Sequence, residues 1–430
     1  MQTYWFSAWL AKYRVTNKRT LEKALTRGAA LDSLLSAAPR PTFSVRSEPS
    51  ELIELTGGKG IDLTGELGCR HIDCLRKEVE GLFRHTWHYF DRIVLPDQAV
   101  FCVVDFKRHK DASCLLERLL PFVSVLKLLD RVGAERLVRF ESRLPSCLEH
   151  AEEHAREANI EQAFTNTRSL TKEIVNDATI SWDHVERESH IHLDFRLDHP
   201  EFEHPEWGSL CSRSTPIPKR NAMIRQSIAV AVVARYLAAL SADALAARRT
   251  HTVLGSTVPF YKRLLATHPS AEVDEVAFNL NLPISADISI EKLIKLREAE
   301  KPSFERFQAA LRRAIGEHIK TVRSSSAAVL AREIQRDIIG PELRRIRDLL
   351  AASRSQTTKS AATGLGLGMA AATVGLLTPL SANSIGTGLV VGGAITMGLS
   401  SIKKAVDDDF VVRRDVSLSD MYFLWQAHRH

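Results

Sequence analysis

With 430 residues, 44% of them hydrophobic and 26% charged, the chain has the composition of a folded protein with a sizeable core, which excludes an intrinsically disordered one. A net charge of +6 and a pI of about 9.0 permit contact with nucleic acid or anionic lipid without demanding it. The six cysteines are scattered with no CxxC pair, so a dense disulfide framework is excluded and reduced thiols in a cytoplasm are expected.

The amino terminus, MQTYWFSAWLAKYRVTNKRT, has no uninterrupted apolar core of signal-peptide length, so secretion is not expected. Within it, TYWFSAWL reads as a short aromatic opening strand. Pro39 to Ser50 reads as a loop-like spacer, and Cys74 to Phe90 follows a helical pattern. DRIVLPD and AVFCVVDFK predict the two strands of a hairpin turning at Pro96–Gln98. Leu115 to Arg131 is an apolar helix interrupted by Pro121, ERLVRFES a strand, and Ser146 to Thr165 a polar helix. HIHLDFRLDH, His190 to His199, alternates strictly and predicts a half-buried strand. The Pro-rich segment that follows marks a domain boundary.

Beyond it the pattern is helical. Ile224 to Ala247 is rich in Ala and Val, but Arg235 interrupts the run, which predicts a core helix rather than a membrane span. Ser289 can cap a helix carrying Leu293 and Leu296, and Pro302 suits the first turn of the next. There Phe304, Phe307, Leu311 and Ile315 form an amphipathic stripe. Helix then continues, with a break at Gly340–Pro341, to about Ser353. The expected fold class is α+β, predominantly α-helical: a small N-terminal sheet domain followed by a helical domain with a Gly-rich apolar C-terminal hairpin. In residues, that is a mixed domain over 1–200, a Pro-rich connection over 201–220, a helical domain over 221–358, the hairpin over 359–404 and a tail over 405–430.

The hairpin expectation rests on the absence of any charged residue between Lys359 and Lys403. Ser360 to Ile402 is long enough for two crossings turning at TPLSAN, and Lys359, Lys403 and Lys404 place positive charge at both open ends. Gly364 with Gly368, and Gly388 with Gly392, each form the GxxxG spacing that lets helices approach closely. Against insertion, Gly, Ala, Ser and Thr dominate, and each Leu, Ile or Val contributes only about 0.3–0.6 kcal/mol. Membrane contact and a soluble hairpin packed on the Phe304–Ile315 stripe both stay open.

Three residue sets carry candidate chemistry. In DRIVLPDQAVFCVVDFK, the Pro-Asp and Asp-x-Lys resemble the restriction-endonuclease-like signature, in which carboxylates hold Mg²⁺ and Lys orients water. Asp97 would sit at the turn, too far from Asp105, so the candidate catalytic set is Asp91, Asp105 and Lys107, against a hairpin whose polar side faces solvent. His190, His192 and Asp194 share one strand face as a metal-ligand set resembling the His-x-His-x-Asp of metallo-hydrolases, against a simple solvated face. His150, Glu153 and His154 match His-x-x-Glu-His, although no acid lies between Trp207 and Ala242 to complete an inverted zincin. The glycines of TGGKG, Thr56 to Gly60, lack the spacing of a phosphate loop.

The run FNLNLPISADISIEKLIKLREAEKPSFERFQAALRRAI, and YFDRIVLPD, resemble blocks of uncharacterised bacterial families of unknown function. The resemblance implies a bacterial source and lends no catalytic residue. The leading expectation is a bacterial non-enzymatic interaction or effector protein. Its Gly-rich hairpin would serve oligomerisation or conditional membrane association, in a stress or phage-defence setting. The alternative is a metal-dependent nuclease or hydrolase, which alone calls for a cofactor, a divalent metal. The expected partners are a second copy or another protein, with a membrane and nucleic acid left open. The expected location is the cytoplasm, or the inner membrane's cytoplasmic face if the hairpin associates with it.

Overall fold

The structure is a computed structural model that describes residues 4–41, 51–61, 63, 72–143, 148–187, 190–211, 217–265, 273–280, 289–321, 327–346, 348 and 423. The Gly-rich segment 359–404, with Gly364, Gly368, Gly388 and Gly392, lies outside the described residues.

The chain opens with three short helices, α1 (Trp5–Lys12), α2 (Lys18–Leu25) and α3 (Gly28–Ala37). The expected opening strand is therefore a helix. Phe6, Trp9 and Leu10 recur at helical spacing and bury together, and that period outweighs the weak strand preference of aromatic residues. Asn17 caps α2 through a reciprocal box with Thr20.

A parallel sheet follows. Its strands are β1 (Glu54–Gly57), β2 (Arg92–Pro96) and β3 (Val138–Glu141), with α4 (Ile72–Thr86), α5 (Gln98–His109) and α6 (Ala112–Arg131) between them. AVFCVVDFK is thus not the return strand of a hairpin but part of α5. Asp97 accepts a hydrogen bond from the Val100 N–H and starts the helix, and Ala99, Val100, Cys102, Val103 and Phe106 then bury along one side. β2 finds parallel partners on both sides instead of an antiparallel one.

Next come α7 (Leu148–Glu157), α8 (Gln162–Thr165) and α9 (Thr167–Asp177). They lead to an antiparallel sheet of β4 (Thr179–Arg187), β5 (His190–Asp198) and β6 (Glu206–Cys211). β5 is the strand that strict alternation predicts, with Leu193, Phe195 and Leu197 buried. α10 (Asn221–Thr250) then runs into β7 (Val253–Gly255), and α11 (Pro259–Leu265), α12 (Val273–Phe278), α13 (Ile290–Ala299), α14 (Lys301–Thr321) and α15 (Ala327–Ile334) follow. Ser289 caps α13 through the Lys292 N–H, as expected. The break expected at Gly340–Pro341 is a π-turn over Gln335–Ile339 with helix continuing beyond it; the wider turn accommodates the N–H that Pro341 cannot supply.

The fold class is α+β and predominantly helical. Its parallel sheet has the order β3-β2-β1-β7. Leu55, Ile93, Leu95, Val138 and Val253 stand in register on one face and bury against α4, α6 and α12–α15. The other face mixes Val94 and Leu254 with polar groups. Glu54, fully buried, pairs with Arg92 at 3.2 Å and lies 3.7 Å from Arg139, and Thr56 shares a 2.5 Å hydrogen bond with Thr252. α10 packs against β1 and β7 on this side.

Because β7 comes from beyond residue 220 yet lies beside β1, the 201–220 connection does not divide two separate cores. One large cluster joins Leu55 and Ile93 to Phe304, Leu330 and Ile346. A three-residue strand after a 30-residue helix carries too short a pattern to be seen in sequence. α10 is long and apolar enough to cross a membrane, but 67% of its apolar window is buried inside the protein, consistent with the core helix expected from Arg235. The Phe304–Ile315 stripe is buried too, with Phe423 against Phe304 and Phe307 at ring distances of 4.9 and 6.1 Å.

Candidate functional site

Open parallel sheets bind ligands outside the carboxyl ends of their strands, where the strand order reverses. Here the chain proceeds from β1 to β2 to β3 in one direction and then places β7 on the far side of β1, so the reversal lies between β1 and β7. The segments leaving those strands are Gly57-Gly58-Lys59-Gly60 and Gly255-Ser256-Thr257.

These two loops are laced together. The Gly58 N–H donates to the Gly255 carbonyl at 2.8 Å, and the Ser256 hydroxyl donates to the Lys59 carbonyl at 2.5 Å. Gly60 has φ +88, and a Cβ there would lie 2.1 Å from Thr257 Oγ1. The glycines of TGGKG therefore serve a close approach of two loops, which agrees with the absence of phosphate-loop spacing. Gly60→Ala is expected to cost about 1–3 kcal/mol, combining left-handed strain with the clash; a urea titration of the purified variant measures it.

The loop aims Lys59 at a carboxylate. Lys59 Nζ is 2.6 Å from Glu206 Oε1 of β6 and lies 4.1 Å over the Tyr236 ring of α10. Tyr236 donates its hydroxyl to the same oxygen at 2.9 Å, and Arg235 stands 3.6 Å from the other. Burial first, and the Glu206 charge second, push the Tyr236 hydroxyl well above the ordinary tyrosine value, so it stays a donor.

A second group of charges lies at the end of β3. Arg143, almost fully buried, donates to the Gly57 carbonyl at 2.6 Å and stands 3.2 Å from Asp243 and 3.4 Å from Glu141. Tyr261 donates to the other Asp243 oxygen at 2.6 Å. Burial raises the Asp243 carboxyl above its usual value even though Arg143 and Tyr261 pull it down. Arg143 Nε and Glu141 Oε1 are buried without a hydrogen-bond partner among the described residues. Asp243 and Tyr236 are seven residues apart on α10, about two turns, so one face of that helix serves both groups.

The carboxyl end of β2 is closed by the start of the chain. Tyr4 and Trp5 donate to the two oxygens of Asp97 at 2.6 and 2.7 Å, and Tyr4 rests on Phe140 at 4.8 Å between ring centres. Burial raises the Asp97 carboxyl despite these donors. The carboxyl edge thus has a capped centre at β2, with charged groups at the ends of β3 and β1 on either side of it.

The sequence-predicted sites do not assemble. Asp91 lies at the amino end of β2, where it accepts from the Ile53 N–H at 2.9 Å and faces Arg297 at 3.6 Å. Asp105 is on α5 and pairs with Arg118 at 2.8 Å, while Lys107 reaches the Leu35 carbonyl at 3.0 Å. The nuclease set needed a strand where the chain makes a helix, and Asp91 and α5 lie at opposite ends of β2. His190, His192 and Asp194 do share the outer face of β5, but His192 meets Ser209 at 3.4 Å and Cys211 at 3.6 Å. Among the described residues no group of three or more His, Cys, Asp or Glu side chains could hold a metal ion; that covers these three and the His150–His154 pair of α7.

Sequence reasoning missed Arg143, Glu206, Asp243 and Tyr261. One signal was available: Asp243 is the only acid in α10, and a single carboxylate in an apolar helix implies a buried cationic partner. Compared with known proteins, the chain matches no family model, no curated protein and no solved structure, so its own geometry carries the assignment.

Proposed function

We propose that the chain is a non-enzymatic interaction protein whose parallel-sheet edge responds to an anionic ligand. Its Gly-rich segment 359–404 would carry the response into self-association or conditional membrane association. The supporting observation is the carboxyl edge of the parallel sheet, where Lys59 after β1 and Arg143 after β3 are each held by a carboxylate from a different element, Glu206 of β6 and Asp243 of α10. An anion entering there competes with Glu206 for Lys59. Release of Glu206 unpins β6 and α10 from the Gly57–Gly60 loop, a change that can be passed along the chain. Small residues at GxxxG spacing give the segment its route to close helix packing.

Calorimetric titration of the purified full chain with inorganic phosphate, pyrophosphate and a mononucleotide tests the reading, with oligomer size followed by sedimentation. Lys59→Met keeps the apolar stem over Tyr236 and removes the charge. Saturable binding of at least one anion is expected, weakened about ten- to a hundredfold in Lys59→Met, the range for losing one charge-assisted hydrogen bond. Absence of saturable binding to all of these anions removes the ligand-response reading.

A further inference from the structure

Most arginines of the sheet region are ion-paired: Arg92 with Glu54, Arg118 with Asp105, Arg143 with Asp243, Arg249 with Glu157 and Arg263 with Glu173. The N-terminal helices differ. No acid occurs in residues 1–21, and Arg14, Lys18, Arg19 and Lys23 are exposed and form no ion pair among the described residues. α2 packs on α6, and Lys127 of α6 donates to the Thr16 carbonyl in the turn between α1 and α2. That contact brings Lys127, and Arg131 one turn further along, to the side of the molecule that already carries Arg14, Lys18 and Arg19. Burial and the neighbouring Arg131 charge lower the Lys127 ammonium from its usual value, as expected where cations gather with little compensation. The acids nearest in sequence are Glu22 and Asp130.

We propose that this basic surface of α2, α6 and the turn before α2 docks on an anionic lipid membrane. The choice of a lipid surface rests on the proposed membrane association of the segment 359–404, which is uncharged from Ser360 to Ile402 and flanked by Lys359, Lys403 and Lys404. Each Lys or Arg near such a surface strengthens attachment about fivefold, and the attraction fades within a screening length.

The test uses the full chain in flotation with phosphatidylcholine vesicles, with and without about one-third phosphatidylserine. The variant is Lys18→Glu/Arg19→Glu/Lys23→Glu. Its positions are exposed, and glutamate at 18 and 19 in the first turn of α2 favours the helix as glutamate at 23 in its last turn disfavours it, so an unchanged melting temperature checks its fold. Expected is binding that requires phosphatidylserine, falls on the order of a hundredfold in the variant, and is lost in about 1 M salt. Equal binding to both vesicle types by wild type and variant overturns the basic surface while leaving membrane contact through segment 359–404 in place. No binding to either vesicle overturns both. Loss in the variant of duplex-DNA binding, with vesicle binding unchanged, overturns the lipid assignment and makes the patch a nucleic-acid surface.

Discussion

Arg143→Ala should be the most damaging single change at the sheet edge, lowering unfolding free energy by about 3–5 kcal/mol, the usual cost of removing one partner from a buried ion pair. The guanidinium serves the Gly57 carbonyl, Asp243 and Glu141 together, so alanine leaves two carboxylates and a carbonyl facing a low-dielectric interior. Arg143→Lys should rescue little of the loss, because a single ammonium cannot reproduce the fork. The deficit should also depend on pH. The Asp243 carboxyl is already raised by burial, and removing its cation raises it further. A carboxyl with a raised folded pKa takes up protons on folding, so the added penalty is small below the ordinary carboxylate range. It grows as pH rises from the raised wild-type value toward the variant's still higher one. Urea midpoints for wild type and variant at about pH 5 and pH 8 would show the gap widening with pH. A gap that narrows as pH rises would mean that Asp243 is not the group left exposed.

Phe423→Ala should cost about 3–5 kcal/mol, the range for deleting a buried aromatic side chain. Phe423 is fully buried, 5.8 Å from Trp87 and 4.9 Å from Phe304 between ring centres. It seals the end of the Phe304–Ile315 stripe. Chemical denaturation followed by tryptophan fluorescence measures the loss, since Trp87 reports on the same contact. A change below about 1 kcal/mol would show that the ring contributes little to the core. The same contact predicts that a chain ending before residue 423 is destabilised, whatever segment 359–404 does.

The helical half of the fold and the strand β5 were legible because their signals are local. The stripe Phe304, Phe307, Leu311, Ile315, the Ser289 cap and the alternation of His190 to His199 each fix an element within one window. The parallel sheet was not legible. β1 and β7 are four and three residues long and pair across almost 200 positions, so no local pattern announces them. The false hairpin has a related cause: a short apolar run after Pro96–Asp97 suits a buried helix and a strand equally, and only the Asp97 cap separates them. The charged edge was hidden because its partners come from β1, β3, β6 and α10, and proximity between such positions exists only after folding.

Phe423 also alters how the Gly-rich segment is to be pictured. Ile346 and Phe423, on either side of the Gly-rich segment, belong to one hydrophobic cluster. The segment's two flanks are thus moored in one body. A single protease cut within the segment leaves each half attached, so nicked protein should migrate intact under native conditions and separate only in denaturant. A moored stretch also has no free end to thread, and when it engages a surface the whole body must come with it.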